Sequence, residues 1–192
     1  MDHSITAEKF GVRLRPVRLE DAGFITDLRN SPHALGLIGD SAESEASQRE
    51  WLQAYFSRPG DYYFIIEIAH SRQMVGTTGV YDIEGKSGES GRWVILPGIP
   101  AAPASSWLTF HVGLEILDLD EVRGTVVESN TSVVSFQKKI GHRCIGMAPE
   151  PRIIGGKPVN LLEYRLTRPE WPKISANLTR YALMAEKLLT RD

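Results

Sequence analysis

Small residues and prolines fill the segment between a strand predicted at 92–96 and a helix predicted to begin at Ser105 or Ser106. A strand, a loop of small residues and a helix N-terminus together suit anion binding, because unpaired backbone N–H groups and the positive end of the helix dipole converge there. Three of the residues between 97 and 104 are prolines, which have no N–H to donate. The segment therefore predicts either a phosphate-binding loop with few donors or a simple connection.

Residues for metal or disulfide chemistry are scarce. Cys144 is the single cysteine, and the five histidines show no H-x-x-x-H spacing. Zinc sites need several Cys or His ligands at short spacings, and a disulfide needs two cysteines. We therefore expect neither a metal site nor an internal disulfide.

Charge and composition narrow the classes of partner. The 192 residues carry a formal net charge of −2, whereas nucleic-acid binding calls for a strongly basic face. The sequence contains no run of about 18 apolar residues, as a membrane span requires, and its N-terminus lacks the apolar core of a signal peptide. We expect one soluble, cytoplasmic domain that binds neither nucleic acid nor membrane.

Hydrophobic periodicity predicts a mixed α/β fold. The strand at 12–18 is expected at a sheet edge, because Pro16 cannot donate to a ladder. Ser47 and Glu50 have capping-box spacing at the start of the second helix, and the polar stretch 84–90 is expected to be a loop. The predicted strands are 12–18, 62–69, 74–83, 92–96, 122–127, 143–148 and 161–167, and the predicted helices are 19–30, 48–56, 107–117, 132–140 and 172–192.

Five motifs, in order, resemble those of GNAT-type N-acetyltransferases, and look closest to the branch that acetylates ribosomal-protein N-termini and amino-sugar nucleotides. The segment 89–94 (ESGRWV) is similar to the E-x-G-x-W-[IV] that opens the family's fourth strand. Asn130, Phe136, Lys139 and Gly141 fall where the family has N-x-x-S-x-x-x-[YH]-x-K-x-G-F. The remaining matches are Arg29-Asn30 with L-R-N, 113–122 with A-F-E-x-L-G-L-x-x-V, and Trp171 with the E-W that closes many such domains.

The resemblance implies a GNAT-like domain over 12–171. Its sheet is expected to be mixed and mostly antiparallel, flanked by helices, with the fourth and fifth strands splayed apart. Residues 172–192 are expected to form an amphipathic helical extension. Its apolar face packs either on its own domain or on a second copy in a homodimer.

The resemblance also implies acetyl-CoA as co-substrate, with no metal. Backbone groups of the fourth strand would pair with the pantetheine arm, and the loop and helix start that follow would hold the pyrophosphate. The residues assigned to the cofactor in this way are Val94, Ile95, Leu96, Gly98, Ile99, Ala101, Ala102, Ala104, Ser105 and Asn130.

In such enzymes a neutral amine attacks the thioester directly, so the site must remove an amine proton and protonate the leaving thiolate. Glu89 is the candidate base, because partial burial at the mouth of the fourth strand would raise its pKa. The alternative interpretation is a solvated loop glutamate. Gln137 stands where many members carry a Tyr or His proton donor, so Ser135, Tyr81 or a water is expected to replace it.

The candidate acceptor-binding residues are Arg29, Asn30 and Tyr81. The leading hypothesis is an N-acetyltransferase acting on the primary amine of an amino-sugar nucleotide. The alternatives are acetylation of a protein N-terminus or a small amine, and a degenerate GNAT domain that binds CoA or a partner without catalysis.

Overall fold

A computed structural model describes residues 2–39 and 41–189. The strands are β1 Ala7–Lys9, β2 Val12–Pro16, β3 Tyr62–Ile68, β4 Met74–Glu84, β5 Ser87–Ile95, β6 Glu121–Val127, β7 Arg143–Met147, β8 Arg152–Ile154, β9 Lys157–Val159 and β10 Leu161–Thr167. The α-helices are α1 Ala22–Arg29, α2 Glu45–Tyr55, α3 Ala102–His111, α4 Thr131–Ile140 and α5 Trp171–Leu189. Residues 190–192 of the predicted extension lie outside the described residues.

Eight of these strands form one sheet in the order β1-β2-β3-β4-β5-β6-β10-β7. Only the β5–β6 pair is parallel, and the other neighbours are antiparallel. The expected mixed, mostly antiparallel sheet is therefore confirmed. β8 and β9 form a separate two-stranded sheet, which the sequence did not predict.

The prediction of an edge strand at 12–18 is wrong, because β1 pairs with the outer side of β2. Phe10 and Gly11 form the connecting turn with φ angles of 56° and 73°. Pro16 is the last residue of β2, where a missing N–H has little effect on the ladder.

Two helices begin three residues before the predicted positions. The hydroxyl of Ser44, not Ser47, is the N-cap acceptor of α2, and it accepts the Ser47 N–H at 3.2 Å. Helix α3 begins at Ala102, with Pro103 in its first turn. Proline suits that turn, since its fixed φ is helical and its absent N–H would have had no helical acceptor.

The polar stretch 84–90 is not a loop, contrary to the prediction. Gly85 (φ 58°) and Lys86 alone connect the two strands, since Glu84 already pairs with Ser87. Glu89 therefore lies in β5, directly opposite Tyr81 of β4.

The helices cover the sheet in two groups. Phe64 and Ile66 of β3 pack with α3 and α5 in the main core, whereas Tyr63 and Ile65 pack with α1 and α2. Successive residues of a strand point to opposite faces, so we call these the α3 face and the α1 face. Helix α4 also lies on the α3 face, where its Phe136 contacts the main core.

Helix α5 packs on its own domain. Its residues Ile174 and Leu178 are buried in the main core. Tyr181 and Leu188 follow Ile174 and Leu178 at helical spacing, which predicts the same apolar face, but they are 37% and 59% exposed.

Strands β5 and β6 pair over only three residues. The ladder joins Ser87–Glu89 to Glu121–Arg123 and then stops. These are the fourth and fifth strands of the predicted pattern, because β1 adds one strand before it. The expected splayed pair is therefore present, and Glu89 stands at the point where it opens.

A buried ionic cluster joins β2, β3 and the turn before α1. The Arg15 guanidinium donates to both Asp21 carboxylate oxygens at 2.7 and 2.8 Å and to Glu67 Oε1 at 2.6 Å. All three residues are less than a tenth exposed. The cluster ties the start of α1 to the sheet.

Candidate active site

A cavity of about 230 Å³ occupies the gap between the separated halves of β5 and β6. It is lined from the α1 face by Arg29, Tyr81, Glu89 and the loop 37–39, and from the α3 face by residues of α3 and α4. One opening thus brings groups from both faces of the sheet together.

Glu89 and Tyr81 form a hydrogen-bonded pair in this cavity. The Tyr81 hydroxyl donates to Glu89 Oε1 at 3.2 Å. Burial raises the pKa of Glu89, although the bond from Tyr81 and the charge of Arg152 oppose that shift. Burial also raises the pKa of Tyr81, so it is a hydrogen-bond donor at neutral pH. The carboxylate is therefore a stronger base than a solvated glutamate.

Gly91 makes room for this pair. A Cβ at Gly91 would collide with the Tyr81 hydroxyl. Any side chain there would push Tyr81 away from Glu89, which explains why glycine occupies the third position of the 89–94 motif.

Arg92 stabilises an irregularity in β5 beside the cavity. The β4–β5 register shifts between Thr77 and Gly79, and Arg92 takes a left-handed φ of 52°. Its guanidinium donates to both oxygens of Asp61, at 2.8 Å for the Nη2 bond, and lies 4.2 Å from the Tyr81 ring centroid. Arg92 is thus neutralised by Asp61 while it supports the tyrosine.

Arg29 and Asn30, two of the residues predicted to bind the acceptor, occupy different places in the structure. Arg29 lines the cavity and donates to the Gly39 carbonyl at 3.1 Å. Asn30 is exposed, does not line the cavity, and donates to the Ala42 carbonyl at 2.8 Å. Arg29 and Asn30 thus anchor the loop that follows α1, and only Arg29 also reaches the cavity.

The loop before α3 offers fewer free N–H groups than its length suggests. The N–H groups of Ile99, Ala101 and Ser105 already bond to carbonyls at 2.9–3.4 Å. The Ser105 side chain is fully buried, donating to Ala102 O and accepting from Trp93 Nε1. Among the described backbone acceptors, none bonds the N–H of Gly98, Ala102 or Ala104, and Ala104 is fully buried. Gly98 and Ala102 are the accessible donors that remain.

The end of β5 keeps one open edge toward the gap. Leu96 N–H donates to Val75 O at 2.8 Å and so points toward β4. Since alternate residues of a strand point the same way, the backbone groups of Val94 also face β4, and those of Ile95 face the gap. Of the three residues predicted here, Ile95 alone offers both backbone groups to a ligand between the strands.

Asn130 combines a cap with a free amide. Its Oδ1 accepts the Val133 N–H at 3.3 Å at the start of α4, and the residue lines the cavity. Within the described residues its Nδ2 has no hydrogen-bond partner.

Ser135 lies outside the cavity. It is exposed on α4 and is absent from the cavity walls, whereas Val133 and Gln137 on the same helix line them. Of the two side chains predicted as proton donors, the structure therefore brings Tyr81, not Ser135, beside Glu89.

His142 lines the cavity through a contact that sequence patterns did not reveal. Its Nδ1 donates to Gln137 Oε1 at 2.9 Å, and its ring packs against Phe110 and Tyr164. Burial lowers its pKa to about 4, so the ring is neutral at pH 7. Gln137, which stands where the resemblance expects a proton donor, thus bonds to a neutral imidazole.

Arg152 is a second wall residue that sequence patterns missed. It reaches the cavity from β8 and is exposed. Residues 2–39 and 41–189 contain no cluster of three or more side chains that could ligate a metal, and no helix long and apolar enough to cross a membrane.

Comparisons with known proteins agree with this geometry. Residues 12–143 match the model of the acetyltransferase (GNAT) domain. FdhC, solved in its apo form and described as a nucleotide-linked sugar GNAT, is 26% identical, with a TM-score of 0.75 over 94% of this chain and 98% of its own. Curated proteins give no sequence match.

Two further structures share the fold at lower identity. A GCN5-related N-acetyltransferase from Brucella melitensis is 16% identical, with a TM-score of 0.79 over 94% of this chain and 86% of its own. A mutant of the spermidine N-acetyltransferase SpeG from Vibrio cholerae is 19% identical, with a TM-score of 0.74 over 85% of this chain and 97% of its own. The domain match covers more than half of the sequence, so the chain belongs to the GNAT acetyltransferase family.

Proposed function

We propose that this protein transfers the acetyl group of acetyl-CoA to the primary amine of an amino-sugar nucleotide. The observation that carries the proposal is the Glu89–Tyr81 pair at the point where β5 and β6 separate. The pair includes a carboxyl of raised pKa on the α1 face, while the candidate cofactor groups lie on the α3 face.

Two accessible features on the α3 face fit acetyl-CoA. The open backbone edge at Ile95 suits the amide-rich pantetheine arm, and the N–H groups of Gly98 and Ala102 suit a pyrophosphate beside the N-terminus of α3. The Asn130 amide adds a further donor. When bound, the cofactor supplies an acetyl thioester that an amine can attack.

Glu89 has a defined role in the proposed reaction. An incoming ammonium group gives one proton to Glu89, and the neutral nitrogen then forms the C–N bond as the C–S bond breaks. The second nitrogen proton, lost on amide formation, balances the proton that the thiolate takes up. Tyr81 holds the carboxylate in place by donating to it, and its own raised pKa keeps it protonated.

Positive charge at the acceptor end favours an anionic amine. Arg29 and Arg152 both line the cavity there, so a polycation such as spermidine would meet like charge. The likeness to a nucleotide-linked sugar GNAT at 26% identity supports the same choice. A protein N-terminus or an uncharged small amine gains nothing from these arginines.

A degenerate, non-catalytic domain is the second candidate. The observation in its favour is the loop before α3, in which three prolines and three bonded N–H groups leave few donors. Such a domain would bind CoA or a partner without turnover.

Thermal unfolding with acetyl-CoA, followed by an acceptor panel, tests the proposal. Ligand at roughly 100 times its Kd stabilises the folded state by about 2.7 kcal/mol, which raises the Tm by about 5–10 °C in a domain of this size. Free-thiol release should then be fastest with a UDP-linked amino sugar, slower with the free amino sugar and slowest with spermidine. No shift at millimolar acetyl-CoA would refute the proposal, and a shift without thiol release would favour the degenerate domain.

Replacing Pro103 with Ala should tighten acetyl-CoA binding. The change adds a backbone N–H to the first turn of α3, where it can donate to the pyrophosphate. A hydrogen bond to a charged group contributes about 1.5–3 kcal/mol, so we expect the Kd, measured by calorimetry, to fall by about tenfold or more. The lost rigidity of proline lowers the folding stability by about 0.4–1 kcal/mol and leaves the affinity of the folded protein unchanged.

Pro169→Ala, in the turn Arg168–Glu170 before α5, is the matched control and should leave the Kd unchanged. An equal or weaker affinity for the Pro103 variant would show that the pyrophosphate does not lie at this helix start.

A further inference from the structure

The β8–β9 hairpin carries two cations on one face. Arg152 pairs with Val159 and Ile154 pairs with Lys157, and the turn between them uses Gly155 and Gly156 at φ 56° and 73°. Cross-strand partners and alternate residues share a face of a two-stranded sheet. Arg152, Ile154, Lys157 and Val159 therefore lie on one face, which we call the inner face.

The inner face is fixed against the main sheet by its apolar residues. Ile154 is only 6% exposed and packs with Val127 of β6 and Leu161 of β10. The opposite face of the hairpin points to solvent, since Ile153 is 59% exposed. The hairpin thus covers the end of the β5–β6 gap, with Arg152 in the cavity wall.

The register shows which side of the sheet the inner face covers. Val122 and Leu166 belong to the main core with α3 and α5, so the alternating positions Val127 and Leu161 point to the α1 face. Glu89 also points there, since it is the ladder neighbour of Arg123. The inner face and the candidate base therefore share the acceptor side, opposite the loop before α3.

Neither cation of the inner face has an acidic partner. Other basic residues near this end of the sheet do: Arg165 pairs with Glu121, and Arg143 with Glu170 at 3.1 Å. No described carboxylate lies within 4 Å of a side-chain nitrogen of Arg152 or Lys157.

Among the described residues, no acidic group on the neighbouring strands forms an ion pair with Arg152 or Lys157. Glu128 accepts a hydrogen bond from Asn160 at 3.1 Å. Glu163 lies on the same face of β10 as Leu161, and Glu89 shares the cavity with Arg152, whose charge partly opposes the effect of burial on the Glu89 pKa. Two unpaired cations beside an apolar contact suit the phosphate oxygens of a bound molecule.

We propose that the inner face of the β8–β9 hairpin is an anion subsite, in which Arg152 and Lys157 bind the phosphate groups of the acceptor. The inference rests on the proposed acetyl transfer and names the residues that select a phosphorylated amine. Arg152 contacts phosphate at the cavity wall, and Lys157 contacts it farther out along the hairpin.

Calorimetric titration with UDP, inorganic pyrophosphate and uridine tests the subsite without turnover. Protein saturated with CoA should bind UDP and pyrophosphate measurably better than uridine, with an affinity that falls as salt is added. Arg152→Gln should raise the Kd for UDP about tenfold and Lys157→Gln about threefold, because each removes a charge-assisted bond. Arg152→Lys should recover part of the affinity.

The controls separate this subsite from the rest of the protein. Arg180→Gln and Lys173→Gln, on α5 at the opposite face, should leave the Kd for UDP unchanged, and all variants should keep the wild-type Tm and Kd for acetyl-CoA. Absence of UDP binding, or UDP binding that is indifferent to Arg152 and Lys157, would overturn the inference. Failure of acetyl-CoA to bind while UDP still binds would instead refute the acetyl transfer and leave the anion subsite standing.

Discussion

Replacing Glu89 with Gln is expected to lower kcat by roughly 10²–10⁴-fold, the usual contribution of a positioned general base. The amide keeps the size of the side chain and can still contact the Tyr81 hydroxyl, which lies 3.2 Å from Glu89 Oε1. It cannot accept a proton. The Kd for acetyl-CoA should stay the same, because Glu89 points to the α1 face and the proposed cofactor groups lie on the α3 face.

The pH profile gives a second readout of the same change. Burial raises the pKa of Glu89 above its ordinary value, so the deprotonated base is present above that raised pKa and is lost as the pH falls through it. In the wild type, kcat/KM should decline on this acidic side, and in the Glu89→Gln variant that decline should disappear.

Ser135→Ala is the matched control, because Ser135 lies on α4 outside the cavity and should leave kcat unchanged. Unchanged turnover in the Glu89 variant would refute its role as base, whereas a loss in Ser135→Ala would show that α4 moves its serine into the site.

Replacing Arg15 with Met should lower the free energy of unfolding by about 3–5 kcal/mol, because buried Asp21 loses its ionic partner and buried Glu67 keeps only the longer contact with Arg13 at 3.3 Å. Asp21 and Glu67 are 4% and 5% exposed, and Arg15 bonds both within 2.6–2.8 Å. Urea unfolding followed by circular dichroism measures the change.

Two comparisons isolate the charge effect. Arg49→Met removes the exposed Glu45 pair at 3.4 Å and should change the free energy of unfolding by less than about 0.5 kcal/mol. Adding Asp21→Asn and Glu67→Gln to Arg15→Met should recover part of the loss, since it removes the unpaired charges. A loss below about 1 kcal/mol for Arg15→Met would mean that water enters the cluster.

Much of the fold could be predicted from the order of its elements and its motifs, because these depend on local sequence. The family motif around 89–94 located the splayed strand pair although the strand boundary around it was wrong. Polar residues at Glu84–Ser90 indicated a loop, since strands in a core are usually apolar. Here the strand continues through them because it borders a cavity, where a polar side chain such as Glu89 has partners.

The remaining parts of the site depend on contacts between distant residues. His142 meets Gln137 only because Gly141 ends α4 in a left-handed conformation (φ 80°), and Arg152 reaches the cavity only because Ile154 packs on Val127 and Leu161. No periodicity or motif near these residues encodes such contacts. The number of free N–H groups before α3 could not be predicted from the sequence either, since it depends on which N–H groups bond to carbonyls within the loop itself.

The division of the site between the two faces also bears on how its specificity evolves. The proposed cofactor groups belong to β5, α3 and α4, which are part of the main sheet and core, whereas the proposed acceptor side includes a loop after α1 and a hairpin that forms its own small sheet. Mutations in those two peripheral segments change none of the proposed cofactor groups, although a replacement of Arg152 would also alter the Glu89 pKa. A change of acceptor therefore requires substitutions only in these two segments, while the proposed cofactor groups stay as they are.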